Sequence, residues 1–245
     1  MAGCGTGDAA MNPNDPNVQM LDLVAARLRE DLCRELVFVG GAVAGLLISD
    51  PAQPAIRPTE DVDLLAQVLA RSDYYALEQQ LRARGFEQDM RPLAPICRWL
   101  VDGVIVDVMP TIPEVLGFAN CWYPLAMHTA WTAQLPSGRS VQVISASAFV
   151  ATKLEAFAGR GKADYLFSHD LGDLISVIDG RESLMDELRA NAPDLQVWIA
   201  VEIGRLLTLR AFHDSLPGHL PGDAASQARL PDLLGKLERI AGLRA

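Results

Sequence analysis

Three aspartates stand where a buried strand would ordinarily place apolar side chains. Asp61 and Asp63 are separated by one residue in Asp61-Val62-Asp63-Leu64, and Asp107 interrupts Val104-Ile105-Val106-Asp107-Val108-Met109. Side chains alternate faces along a strand, so Asp61 and Asp63 point the same way. Two like charges held side by side repel each other unless water or a cation lies between them. Hard carboxylate oxygens suit Mg²⁺ or Mn²⁺, and Mg²⁺ completes its shell with phosphate oxygens and water. On alternation Asp107 shares a face with Ile105 and Met109, and in so apolar a strand it needs a partner. Alone, an Asp-x-Asp is usually a solvated edge or a turn cap, and a lone Asp107 can be satisfied by a buried arginine or by backbone amides. If the two strands are neighbours, however, the three carboxylates converge. Metal held there can activate an attacking hydroxyl and stabilise a pyrophosphate leaving group.

Gly40 and Gly41 come earlier, where a strand turns into a helix. Glycine lets the backbone approach a phosphate closely, and the amides of a helix start favour an anion. Between the glycines and the aspartates runs Arg57-Pro58-Thr59-Glu60. Arg57 can neutralise triphosphate charge there.

The positioning elements follow from hydrophobic period and turn chemistry. Val18, Leu21, Val24, Ala25, Leu28 and Leu32 recur at helical spacing, predicting an amphipathic helix over Asn17–Arg34. Leu36–Val39 reads as a buried strand, Ala42–Ile48 as a short helix and Asp61–Val68 as a strand. Asp73–Arg84 reads as a helix stopped by Gly85. Asp102–Gly103 between Ile96–Val101 and Val104–Met109 is the signature of a type I′ hairpin. Pro136-Ser137-Gly138-Arg139 marks a second hairpin between Leu125–Leu135 and Ser140–Ile144, and 111–125 reads as irregular or weakly helical. After Ser145 the pattern is helical, over Ala146–Ala158, His169–Asp179, Ser183–Ala190, Asp194–Phe212 and Pro231–Leu243. The expected organisation is a mobile tail at 1–16, an α/β domain at 17–145 and a helical domain at 146–245.

Composition narrows the function. The chain has 245 residues, 50% hydrophobic and 21% charged, with a formal net charge of -10, enough for a large core and an ordinary globular balance. So acidic a surface argues against broad DNA or RNA binding. A small anion held by metal is still allowed. The four cysteines, Cys4, Cys33, Cys97 and Cys121, form no CxxC pair, which argues against a zinc site and a disulfide framework. The first residues carry no signal-peptide pattern, and no apolar run reaches membrane-spanning length. A cytoplasmic protein without membrane contact is expected.

Taken together, Phe38-Val39-Gly40-Gly41, Arg57-Pro58-Thr59-Glu60-Asp61-Val62-Asp63-Leu64 and the later strand residue Asp107 resemble the DNA polymerase β-like nucleotidyltransferases. Lys153-Leu154-Glu155-Ala156-Phe157 and His169-Asp170-Leu171-Gly172-Asp173-Leu174 extend the likeness to the AbiEii-type branch of bacterial abortive-infection and toxin–antitoxin systems. The resemblance runs from about residue 36 to 180. It implies an α/β (α+β) fold: a mixed sheet with flanking helices, followed by a helical bundle. Asp61, Asp63 and Asp107 would be the metal ligands, with Asp107 as ligand or base. Gly40 and Gly41 would line the triphosphate with Arg57 and Thr59. Lys153 would contact phosphate, and Asp170 or Asp173 would orient Lys153 or the acceptor.

The expected activity is transfer of a nucleoside monophosphate from a nucleoside triphosphate to an acceptor hydroxyl on a tRNA end, a protein side chain or a small molecule. A cognate antitoxin is the expected protein partner. Two rivals stand beside it, a non-catalytic nucleotide- or metal-binding module acting through a partner protein and an antibiotic adenylyltransferase. For an RNA acceptor, Arg82, Arg84, Arg91, Arg98, Arg139, Arg160 and Lys162 are the residues expected to form a local basic surface.

Overall fold

The structure is a computed structural model that describes residues 11–117, 119–160 and 163–243, without the side chain of Arg160. Residues 1–10 of the expected tail, Cys4 among them, and Lys162 of the expected basic surface lie outside the described residues. Helix α1 spans Pro16–Glu35. Asp15 caps it by accepting from the Asn17 backbone N–H at 2.8 Å, and Pro16 fits the first turn, where no N–H is needed. The helix is interrupted at Arg29 (φ 63°). Just ahead of that break Arg84 Nε donates to the Leu28 carbonyl at 3.1 Å.

Strand β1 (Leu36–Val39) leads into a 3-10 turn over Gly41–Leu47, then β2 (Asp61–Ala66), α2 (Arg71–Ala83), β3 (Glu87–Gln88), β4 (Arg98–Val101) and β5 (Val104–Pro110). Helices α3 (Pro113–Leu116) and α4 (Tyr123–His128) precede β6 (Trp131–Gln134) and β7 (Ser140–Val143). Helices α5 (Ala146–Arg160), α6 (His169–Gly180), α7 (Leu184–Arg189), α8 (Pro193–Leu207), α9 (Arg210–Ser215), α10 (Ala224–Gln227) and α11 (Leu230–Ala241) complete the chain. The fold is α+β. The described residues form a seven-stranded mixed sheet in the order β3-β4-β5-β2-β1-β7-β6. The β2–β5 and β1–β7 pairs are parallel and the rest antiparallel. The β4–β5 turn is the one its residues demand, with Asp102 (φ 47°) and Gly103 (φ 82°) both in the left-handed region.

Strand alternation divides the sheet into two unlike faces. Phe38, Val62, Leu64, Trp99, Val106, Val108, Val141 and Val143 lie on one face and are fully buried. Helices α1 and α2 cover it. Arg82 of α2 lies over the Trp99 ring at 5.1 Å, and the Tyr74 hydroxyl donates to the Val108 carbonyl at 2.8 Å. Each such side chain contributes about 1.5–3 kcal/mol by leaving water. The other face is apolar at Val37, Val39 and Leu65 and also carries charge. Asp61, Asp63, Asp107 and Arg98 lie on the other face.

Some elements differ from expectation. Residues 123–128 are helical, and β6 starts only at Trp131. Pro124 suits a first helical turn, and Leu125-Ala126-Met127 lacks strand alternation. The helix expected over Asp194–Phe212 breaks at Thr208–Leu209 into α8 and α9. There the His213 ring bonds the Leu207 carbonyl at 2.8 Å and Thr208 Oγ1 donates to the Arg205 carbonyl at 2.7 Å, so side chains satisfy the helix end. Strand β3 has two residues, too few for any period to announce.

The core falls into two clusters, one around the sheet and one among the C-terminal helices. They meet along α5, where Ala148 and Phe149 belong to the first and Ala146, Val150 and Leu154 to the second. Among the described residues no helix is long and apolar enough to cross a membrane.

Candidate functional site

The parallel register of β2 and β5 sets Asp63 directly beside Asp107 and Asp61 beside Ile105. Registered neighbours share a face, and residues two apart along a strand do too. The three carboxylates therefore converge, with one oxygen from each lying within 4.8 Å of the others. Burial and then the neighbouring Asp107 charge push the Asp61 carboxyl above its ordinary range, against the opposing pull of Arg98, Lys153 and Arg57. Crowded hard oxygen donors that repel one another fit a divalent cation.

Sequence reasoning placed Arg98 on a basic outer surface. The register of β4 and β5 instead sets Arg98 opposite Asp107. Its Nε donates to Asp107 Oδ1 at 2.9 Å and its Nη2 to Oδ2 at 2.7 Å, while Nη2 also lies 3.9 Å from Asp61 Oδ2. This two-pronged pairing is the strong, geometrically selective kind. The signal was present in the spacing: the hairpin turn at Asp102–Gly103 fixes which β4 residue faces Asp107.

Gly40 explains the diglycine. Its backbone (φ 72°, ψ -166°) is one that glycine adopts and other residues resist. A Cβ there would stand 1.9 Å from Asp63 Oδ2, so the Asp63 carboxylate lies against the bare backbone. At Gly41 a Cβ would meet Thr59 Cγ2 at 2.8 Å and Asp173 Oδ2 at 3.0 Å. The diglycine bend is thus where β2, the Thr59 loop and α6 close on one another.

Lys153, on α5, is 8% exposed and donates to Asp170 Oδ1 at 3.2 Å and Asp173 Oδ2 at 2.7 Å. Asp170 and Asp173 are three apart on α6 and present one face to it. Burial alone would lower the Lys153 ammonium pKa, but Asp173 and Asp170 outweigh burial and hold it above the ordinary value, with Asp63 adding to the effect. Arg57 Nη2 lies 3.8 Å from Asp173 Oδ1, so among the described residues this arginine faces a carboxylate. Thr59 turns inward: its hydroxyl donates to the Asp61 carbonyl at 3.1 Å and lies 3.3 Å from Asn17 Oδ1. Asn17 also accepts from the Thr59 N–H at 2.9 Å and donates to the Arg57 carbonyl at 3.1 Å. Sequence reasoning missed Asn17. A polar residue in phase with the apolar stripe of α1, four before Leu21, was the available clue.

A cleft of about 350 Å³ opens beside these groups, lined by Gly40, Asp63, Lys153 and Asp170 together with Met109, Asn120 and Tyr123. Asp63 belongs both to the carboxylate trio and to this cleft.

Each described arginine side chain of the expected basic surface has a carboxylate beside it. Arg82 pairs with Glu78 at 3.5 Å, Arg84 with Asp31, Arg91 with Asp89 at 2.6 Å, Arg98 with Asp107 and Arg139 with Asp22 at 3.7 Å. An excess of acid over base leaves each of these arginines a carboxylate close by.

No protein family and no curated protein matches the sequence. Among solved structures, the crystal structure of JHP933 from Helicobacter pylori is similar at 10% identity, covering 94% of this chain and 93% of that one with a TM-score of 0.45.

Proposed function

We propose that this protein is a metal-dependent nucleotidyltransferase, moving a nucleoside monophosphate from a nucleoside triphosphate to an acceptor hydroxyl. The observation that carries the reading is the convergence of Asp61, Asp63 and Asp107 within 4.8 Å beside the cleft that Asp63 shares with Gly40 and Lys153. In the transfer a bond forms between the acceptor oxygen and the α-phosphorus. The bond from that phosphorus to the bridging oxygen breaks, pyrophosphate leaves, and the proton of the acceptor hydroxyl passes to water. Asp61, Asp63 and Asp107 would hold Mg²⁺ or Mn²⁺, which supplies the positive charge that offsets the phosphates during the displacement. Lys153, fixed by Asp170 and Asp173, sets an ammonium at the cleft wall, where it offsets charge growing on the leaving group. Gly40 keeps the backbone bare, so the Asp63 carboxylate can lie directly against the bend.

One observation favours a second reading. Arg98 already gives Asp107 a cationic partner, which suits a module that binds nucleotide without turnover. The test is incubation with each of the four α-labelled triphosphates, Mg²⁺ or Mn²⁺, and tRNA, protein extract or small hydroxyl compounds. Label transferred to an acceptor, and lost in Asp63→Asn, supports the transferase. Triphosphate binding without transfer to any acceptor supports the module. Neither binding nor transfer overturns both.

A further inference from the structure

The two-pronged grip of Arg98 on Asp107 sets a condition on how the site can load. The Arg98 guanidinium lies against two of the three carboxylates, at 2.7 and 2.9 Å from Asp107 and 3.9 Å from Asp61. A divalent ion reaching the same oxygens would bring its charge beside that guanidinium, and like charges so close oppose each other. The backbone at Arg98 is anchored: its N–H donates to the Pro95 carbonyl at 3.0 Å, its carbonyl accepts from the Asp89 N–H at 3.0 Å, and it is registered with Asp107 in the sheet. The side chain is less confined. It starts at the first residue of β4 and is 25% exposed, so it has a way out towards solvent. A planar guanidinium fits phosphate oxygens as well as it fits a carboxylate.

We propose that Arg98 is a positioning residue that exchanges Asp107 for phosphate, so that the site takes divalent metal weakly by itself and readily as the metal–triphosphate complex. The inference rests on reading the trio as metal ligands. Arg98 holds Asp107 in place before loading. The triphosphate then offers the guanidinium new oxygens while Asp107 turns to the metal. Metal and nucleotide consequently bind with strong positive coupling, and metal alone does not fill the site at cellular concentration.

The test compares wild type, Arg98→Met and Arg98→Lys in two measurements. One is the affinity for Mn²⁺ alone, read from the loss of the free-ion electron spin resonance signal. The other is calorimetric affinity for preformed Mn²⁺–tripolyphosphate, a probe indifferent to base preference. Arg98→Met is expected to bind Mn²⁺ alone about tenfold more tightly than wild type and Mn²⁺–tripolyphosphate about tenfold more weakly. Arg98→Lys, which keeps the charge and loses the fork, should fall between on both. A purely structural arginine would weaken both affinities together, and that result overturns the inference. So does an unchanged Mn²⁺ affinity in a folded variant. In both cases wild-type binding of Mn²⁺ leaves the metal reading standing. If no protein binds either probe, the metal reading falls and takes this inference with it. Should Arg98→Met not fold, Arg98→Lys against wild type carries the same comparison.

Discussion

Asp63 has a strand neighbour in Asp107, a glycine beneath it and a share in the wall of the cleft. That arrangement makes Gly40 the most exacting position in the site. Gly40→Ala would force a Cβ to 1.9 Å from Asp63 Oδ2 in a backbone that alanine resists. A destabilisation of at least about 1–3 kcal/mol is expected, with loss of Mn²⁺ binding, while Gly45→Ala, whose Cβ would meet only Ile56 at 3.9 Å, should be near neutral. Denaturant titration of the two variants checks the contrast, and equal stability would refute the packing argument. Lys153 is the second such position. Removing its charge in Lys153→Met takes the shared ammonium from two buried carboxylates, Asp170 and Asp173, and should lower stability by up to about 3–5 kcal/mol. Adding Asp173→Asn should restore part of the loss. The sign with pH is distinctive. The wild-type ammonium pKa is raised, so its contribution is complete below about pH 10.5 and is lost only as pH rises through the higher folded value. The deficit of Lys153→Met should therefore stay constant from about pH 7 to 9 and shrink only as pH climbs above about 10.5. A deficit that vanished below that range would count against the pairing.

At the scale of elements, helix α6 carries Asp170 and Asp173, and His219 secures the segment ahead of it. The His219 ring bonds the Tyr165 carbonyl through Nε2 at 2.6 Å, and a Cβ on Gly172 would lie 3.4 Å from its Nδ1. Burial pushes the His219 imidazole below its ordinary value, and the bond to Tyr165 only partly restores it. The unfolded chain then takes up a proton first on acidification. Stability from this group is complete above about pH 6.5 and is lost as pH falls towards the lower folded value. Denaturant melts at pH 7.5 and 5.5 should show a smaller acid loss in His219→Gln than in wild type; an equal or larger loss would refute the assignment. His219 was not foreseeable, because the segment from 213 to 230 carries little period and is built from short pieces: the 3-10 turn Leu216–His219 and the four residues of α10. That Asp61 and Asp63 share a face was legible from strand alternation, a local rule, whereas the convergence with Asp107 stood on a condition, because the parallel pairing of β2 with β5 is non-local. Lys153 meeting Asp170 and Asp173 was legible only through resemblance, since it depends on how α5 packs on α6. Thr59 and Arg57 were read as facing the nucleotide because sequence does not show what Asn17, 42 residues before Thr59, does to that loop.

For the whole molecule, two consequences follow from how the cores and the charges are shared. Helix α5 contributes Ala148 and Phe149 to the sheet core, and α6 contributes Val177. A chain ending at residue 145 would expose the surface they cover, and it is expected to aggregate or to lose the cooperative melt of the full chain; a sharp two-state melt of that fragment would show the α/β part to be self-sufficient. Charge bears on the acceptor. The net charge is -10, and Arg82, Arg84, Arg91, Arg98 and Arg139 each lie against a carboxylate. A polyanion gains affinity by placing phosphates on free cations and releasing counterions, and an arginine already paired must first give up its partner. Bulk tRNA should therefore bind no tighter than about 10 μM at physiological salt, within the range of non-specific association. Filter binding across a salt series measures this directly. Weak binding with a shallow salt slope would direct the search for the acceptor towards proteins and small hydroxyl compounds. A nanomolar affinity that falls steeply with salt would mean that the paired arginines open on contact with RNA, and would restore the tRNA end as the leading acceptor.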